Sequence, residues 1–127
     1  MMYIDTDILY ALLKPNGRHL EFAKKILDSN EIAYTSVITL VELEIVVKRE
    51  ISDFLSQNIL EAVMEKAPML KIVELNQKIF KKSLELRQKF GLGIYDSIHA
   101  ATAIAKDKKI ASTDHIFDRI KELKRIA

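Results

Sequence analysis

Ile32-Ala33-Tyr34-Thr35-Ser36-Val37-Ile38-Thr39-Leu40-Val41-Glu42-Leu43-Glu44-Ile45-Val46-Val47 is the stretch on which the fold turns. Its β-branched residues favour a strand. Sixteen residues, however, far exceed the roughly five or six of a common strand. The run therefore divides at Ser36. A strand covers Ile32–Thr35, and Ser36 serves as N-cap of a buried helix reaching about Lys48, because a serine oxygen satisfies the first free N–H groups of a helix.

The same strand-then-helix pattern recurs on either side. Met2–Ile4 reads as a short strand ending at Asp5, after which Ile8, Leu9, Leu12 and Leu13 recur at helical spacing until Pro15-Asn16-Gly17 breaks the pattern. Arg18–Asp28 forms an amphipathic helix with Leu20, Phe22, Ala23, Ile26 and Leu27 along one side. Downstream, a helix over Asp53–Lys66 precedes Pro68 and a strand at Leu70–Val73. Gln77–Phe90 is a basic helix stopped by Gly91, Asp96 opens an alanine-rich helix to about Lys106, Lys109–Ser112 is a fourth strand, and a last helix covers His115–Leu123. Strands alternating with helices, joined by connections too long for hairpins, predict an α/β fold. It has three layers, α/β/α, around a central parallel sheet of about four to five strands with right-handed crossovers.

Composition narrows the function. A chain of 127 residues without a Pro-, Gly- or Ser-rich divider reads as one domain, 1–127. A hydrophobic fraction of 49% with 30% charged residues excludes intrinsic disorder. Net charge is only +2, so overall charge does not by itself point to nucleic acid. With no cysteine, disulfides, thiolate metal sites and cysteine nucleophiles are excluded, and any metal must take oxygen or imidazole ligands. A carboxylate already at Asp5 leaves no room for a signal-peptide apolar region, and no run approaches the roughly 18 apolar residues of a membrane span. A soluble, cytoplasmic protein without a membrane partner is expected.

Against that background three acids stand at element boundaries: Asp5 after the first strand, Asp96 at the start of the alanine-rich helix, and Asp114 after the fourth strand. In an open parallel sheet the carboxyl ends of the strands share one rim, where ligands bind, which puts Asp5 and Asp114 together. Glu42 lies about one and a half turns into its helix, an ionisable group on an apolar segment. Singly, Asp5, Asp96 and Asp114 read equally well as N-caps, and Thr39 with Glu42 as a capping box. Together, carboxylates ~5 Å apart repel by about 3 kcal/mol at an effective dielectric of 20, so a converging set calls for cations or protons. An all-oxygen set suits Mg²⁺ or Mn²⁺.

Tyr3-Ile4-Asp5-Thr6-Asp7, Ser36-Val37 to Glu42-Leu43, Tyr95-Asp96-Ser97-Ile98-His99-Ala100-Ala101-Thr102-Ala103 and Ser112-Thr113-Asp114 resemble, in order and spacing, the PIN-domain ribonucleases, and within them the VapC-type toxins of toxin-antitoxin pairs. The resemblance runs over nearly the whole chain. It implies that Asp5, Glu42, Asp96 and Asp114 are the catalytic, metal-binding acids of an endoribonuclease. Such an enzyme hydrolyses RNA to 5′-phosphate and 3′-hydroxyl ends. It also implies an antitoxin partner and a homodimer. Thr6 and Thr113 match polar positions beside the acids, as hydrogen-bond donors to a carboxylate or to a water on the ion, or else as plain helix caps. Asp118 is an additional outer acid, and Asp7 stands where many relatives carry Ser or Asn.

Two rivals remain at this stage. Asp5-Thr6-Asp7 after a strand has the nucleophile-x-acid form of haloacid-dehalogenase-like phosphatases, although Ile8 stands where those enzymes carry Gly. The other rival is a catalytically silent PIN-like module that binds RNA or a partner. For phosphate contacts the sequence offers Lys78, Lys81, Lys82, Arg87, Lys89, Arg119, Lys121, Lys124 and Arg125. His99, among alanines, reads as a packed, hydrogen-bonded core histidine rather than a ligand.

Overall fold

The computed structural model describes residues 1–127. Its elements run β1 (Met2–Ile4), α1 (Thr6–Leu13), α2 (Leu20–Leu27), β2 (Ala33–Ser36), α3 (Val37–Glu50), α4 (Asp53–Gln57), α5 (Ile59–Lys66), β3 (Lys71–Val73), α6 (Gln77–Phe90), α7 (Ile94–Ile104), β4 (Lys109–Ala111), a 3₁₀ turn at His115–Arg119, and β5 (Lys124–Ile126). The five strands form one sheet in the order β3-β2-β1-β4-β5, with every neighbouring pair parallel. The expected α/β/α architecture holds.

The division of the 32–47 run at Ser36 holds as well. Ser36 ends β2 in extended conformation, and its hydroxyl accepts from the Ile38 N–H at 3.1 Å. Gly91 ends α6 in the left-handed region at φ 66°, where an L side chain meets its own backbone.

Three expectations need correction. The helix expected over Asp53–Lys66 breaks at Asn58 into α4 and α5, and the Asn58 amide donates back to the Phe54 carbonyl at 2.9 Å. A helix over His115–Leu123 shrinks to the 3₁₀ turn, and Lys124–Ile126 adds an unassigned fifth strand. Finally, α7 begins at Ile94 after Gly93, so Asp96 sits inside its first turn and caps nothing.

Side chains of a strand alternate between faces, and β1 uses both. Met2 and Ile4 pack with Ile8, Leu9, Leu43, Val47 and Val63 from α1, α3 and α5. Tyr3 points the other way, with Tyr34 and Ile110, into Leu86, Ala100 and Ala103 from α6 and α7, and Phe117. Both cores therefore meet at β1. From β1 the chain moves outward through β2 and β3 on one side, then returns to build β4 and β5 on the other. The reversal lies between β1 and β4, and the crevice beyond their carboxyl ends is where such sheets bind ligands.

Candidate active site

Asp5, Thr6, Asp7, Tyr10, Glu42, Val46, Asp96 and Asp114 line one cavity of about 250 Å³. Asp5 leaves β1, Asp114 follows β4, Glu42 projects from α3 and Asp96 from the first turn of α7. All four acids singled out in the sequence are thus brought together, at the switch point. Asp5 also caps α1 through the Thr6 N–H at 2.8 Å, and Asp114 caps the 3₁₀ turn through the Ile116 N–H at 2.9 Å. Cap and site turn out to be compatible roles, since a cap spends only one of two carboxylate oxygens. The suggested Thr39–Glu42 capping box does not form: Ser36 is the cap, and Thr39 lies inside α3.

The acids are gripped unequally. Both oxygens of Asp5 are engaged, Oδ1 by the Thr6 N–H and Oδ2 by the Ser112 hydroxyl at 2.7 Å. Glu42 is held through Oε1 alone, which accepts from the Thr6 hydroxyl and lies 2.9 Å from His99 Nε2. Thr113 gives both its N–H (2.8 Å) and its hydroxyl to Asp7 Oδ2. The other oxygen, Asp7 Oδ1, is buried with no partner. Thr6 and Thr113 thus both serve as carboxylate donors. Asp118 is placed differently: it does not line the cavity but forms a two-pronged pair with Arg125 at 2.9 and 3.2 Å. Arg125 in turn donates to the Ser112 carbonyl at 3.0 Å, linking that pair to the segment that holds Asp5.

The electrostatics follow from this crowding. No lysine or arginine nitrogen lies within ion-pair distance of Asp5, Asp7, Glu42, Asp96 or Asp114. Burial pushes the Asp5 carboxyl up to about 7, against the pull of His99 and with help from the charge of Asp7. Asp96 is likewise raised, first by burial and then by Asp114, with Glu42 and Asp7 adding to the effect. Burial also works against ionising Glu42, but the hydrogen bonds from His99 and Thr6 outweigh it, and its carboxyl falls below the usual range. His99 is raised well above an ordinary imidazole: burial opposes the charge, and Tyr3, Glu42 and Asp5 together overcome it.

Against this geometry, the family model described as "PIN domain" matches residues 2–123. The chain belongs to the PIN domain family. That family consists of nucleases, and this PIN domain has the matching fold and a buried acidic cluster. Among solved structures, a toxin-antitoxin complex from Klebsiella pneumoniae is 25% identical over 100% of this chain and 97% of that one, with a TM-score of 0.75. VapC20 of Mycobacterium tuberculosis, described as a sarcin-ricin loop cleaving toxin, is 14% identical over 95% of each chain, with a TM-score of 0.81. VapBC2 of Rickettsia felis, bound to a promoter DNA fragment, is 23% identical over 99% of this chain and 98% of that one, with a TM-score of 0.76. No curated protein matches in sequence. The phosphatase alternative is not favoured, since Ile8 is fully buried in the core and Asp7 is tied down by Thr113.

The PIN domain's cavity fits a hard divalent cation. Its acid side chains outnumber nearby positive groups, and Asp7, which lines it, has a buried oxygen, Oδ1, without a partner; the excess of negative charge is relieved by a cation with oxygen ligands. Asp5 and Glu42 offer carboxylate oxygens within 4.8 Å of each other, with the His99 ring beside them. Asp96 takes no hydrogen bond from the chain, and Asp114 keeps one oxygen outside its cap. Asp7 has no firm role in the sequence, although its spacing from Asp5 carries a signal. His99 is the packed, hydrogen-bonded core histidine expected of it, and what the sequence does not show is its contact with Glu42.

The basic candidates divide. Arg125 is consumed by Asp118, Ser112 and His115. Arg87 donates to Ser97 and Ser83 between α6 and α7, and Lys82 faces Glu122 at 3.5 Å. Lys89, Arg119 and Lys121 gather around one cleft of about 400 Å³. No helix is long and apolar enough to cross a membrane.

Proposed function

We propose that this PIN domain is a divalent-metal-dependent endoribonuclease and the toxin of a toxin-antitoxin pair, with Asp5, Glu42, Asp96 and Asp114 as the catalytic residues that hold Mg²⁺ or Mn²⁺. The observation that carries the reading is the convergence of these four acids, with Asp7, on one cavity at the sheet's switch point without a lysine or arginine partner. Bound there, the ion would supply Lewis acidity toward an RNA phosphodiester and a water more acidic than bulk water.

The chain's own residues prepare for that. Ser112 and the Thr6 N–H prevent the Asp5 carboxylate from rotating. Thr6 and His99 hold Glu42 by one oxygen and leave Oε2 free. Thr113 aligns Asp7. Lys89, Arg119 and Lys121 supply positive charge for a polyanion that the acids alone would repel. Partner chains, an antitoxin and a second copy, belong to the same reading. It is supported by Val37, Val41 and Ile45, spaced four apart on α3 and each 43–49% exposed, an apolar stripe of the kind that protein partners cover. The neighbouring structures include VapBC complexes.

Total RNA incubated with wild type or Asp96→Asn, in Mg²⁺, Mn²⁺ or chelator, tests the reading. Cleavage is expected only from wild type with metal. Equal cleavage by both proteins would overturn the site assignment, and absence of cleavage under all conditions would favour a silent RNA- or partner-binding module.

A further inference from the structure

Behind the acidic cavity runs a buried chain of hydroxyl groups. His99 Nδ1 lies 2.7 Å from the Tyr3 hydroxyl, which lies 3.0 Å from Thr39 Oγ1. Thr39 Oγ1 is 2.8 Å from Thr35 Oγ1, which is 2.7 Å from the Ile4 carbonyl oxygen. His99, Tyr3, Thr39 and Thr35 are all at 0% exposure, so water does not complete any of these contacts.

Both ring nitrogens of His99 are thereby engaged, Nδ1 with the Tyr3 hydroxyl and Nε2 with Glu42 Oε1 at 2.9 Å. A carboxylate oxygen offers only lone pairs, so the Nε2–H donates to Glu42. The contact with Tyr3 grips the ring from its other side, whichever of those two atoms carries the hydrogen.

We propose that His99 is a positioning residue of this nuclease site, fixed through Tyr3, Thr39 and Thr35 to the backbone of β1, and that it holds Glu42 by Oε1 so that Oε2 is presented to a cation. The inference rests on the metal-dependent reading of the site. His99 is not itself placed as a ligand: it does not line the cavity. The Thr6 hydroxyl, 3.3 Å from Nε2 and bonded to Glu42, stands at the same spot. The chain also explains a tyrosine on a buried strand, since Tyr3 delivers its hydroxyl between α3 and α7 while its ring packs edge-on to Tyr34 at 5.5 Å.

Mn²⁺ titration followed by electron paramagnetic resonance, on the intact chain, tests this with three variants. Partners of ligating groups typically contribute about 10- to 100-fold to metal affinity. His99→Asn, which keeps a hydrogen-bonding group toward Tyr3 but not toward Glu42, is expected to weaken Mn²⁺ binding by that factor. Tyr3→Phe, which removes one oxygen and keeps the ring, should weaken it by about tenfold at most. His99→Gln, whose amide nitrogen reaches the place of Nε2, should stay closer to wild type than His99→Asn. In wild type, ¹⁵N NMR should show a hydrogen on His99 Nε2, and finding Nε2 bare would overturn the contact assigned to Glu42. Unchanged Mn²⁺ affinity in folded His99→Asn and Tyr3→Phe would overturn the positioning role alone. Failure of wild type to bind Mn²⁺ would overturn the metal reading and this inference with it.

Discussion

The two ends of the sheet treat the same kind of group in opposite ways. At the amino-terminal end of the strands, Glu31 is met by Lys109 through both oxygens at 2.9 and 3.1 Å, and Asp107 accepts from the Tyr34 hydroxyl at 2.8 Å. At the carboxyl end, Asp5, Asp7, Glu42, Asp96 and Asp114 share one cavity, and the only basic group in direct contact with them is the His99 ring. Glu31 is accordingly lowered, by the hydrogen bond from Lys109 first, while Asp5 and Asp96 are raised, by burial first. The contrast teaches that excess negative charge here is local and built in. Ordinary pairing would have been available to the fold, and the carboxyl edge forgoes it.

The largest expected effect is on cleavage. Asp5→Asn should lower RNA cleavage by at least about 100-fold, because a Lewis-acid ion contributes several kcal/mol and each ~1.4 kcal/mol is tenfold. Glu31→Gln, at the opposite edge, should leave the rate within about twofold, well under the ~1.4 kcal/mol that a tenfold change represents. Comparable losses in both variants, read from the rate of RNA breakdown, would erase the contrast between the edges.

Stability against pH gives the next effect. Asp5 is raised from 3.8 to about 7, so the folded form binds a proton that the unfolded form has already released in that window. The Asp5 contribution to stability of the metal-free protein is therefore full below about pH 4 and declines as pH rises toward 7, by a few kcal/mol at about 1.4 kcal/mol per pH unit, whereas the contribution of the lowered Glu42 is lost as pH falls. A raised His99 acts in the same direction, its contribution full below 6.5 and lost as pH rises from there to its folded value. Mn²⁺ at about 100 times its Kd should return about 2.7 kcal/mol at pH 7. Thermal melts in chelator across pH 4 to 7, repeated for Asp5→Asn, check this. Wild-type stability should fall more steeply from pH 4 to 7 than that of the variant, and parallel profiles would contradict the raised carboxyl.

The smallest effect belongs to the paired edge. Glu31 and Lys109 are exposed enough for water to do most of what the pair does. Lys109→Ala should move the melting temperature by less than about 4 °C, the scale of one kcal/mol in a chain of this size. A larger drop would show the amino edge to be more tightly coupled than its exposure implies.

Much of this was legible in the residues because local rules and the global fold agreed. Ser36 divides an ambiguous run by chemistry that works at close range, and Gly91 stops a helix for the same kind of reason. Asp5, Glu42, Asp96 and Asp114 could be grouped because strand ends in a parallel sheet share a rim. Features set by distant partners were not legible. Lys124–Ile126 has two charged residues out of three and becomes a strand only because β4 offers it an edge. The break at Asn58 interrupts an apolar rhythm that continues straight through it, with Phe54 and Leu60 left exposed. His99 could be read as a buried, hydrogen-bonded histidine, but not its partner Tyr3, which stands ninety-six residues earlier.

The hydrogen bond from Ser112 to Asp5 spans 107 positions, and the strand beside β1 on that side is the next to last in the chain. In a chain made from its amino end, Asp5 precedes Ser112 by 107 positions. The acidic cavity therefore cannot close around its first member until β4 and the turn beyond it have been made.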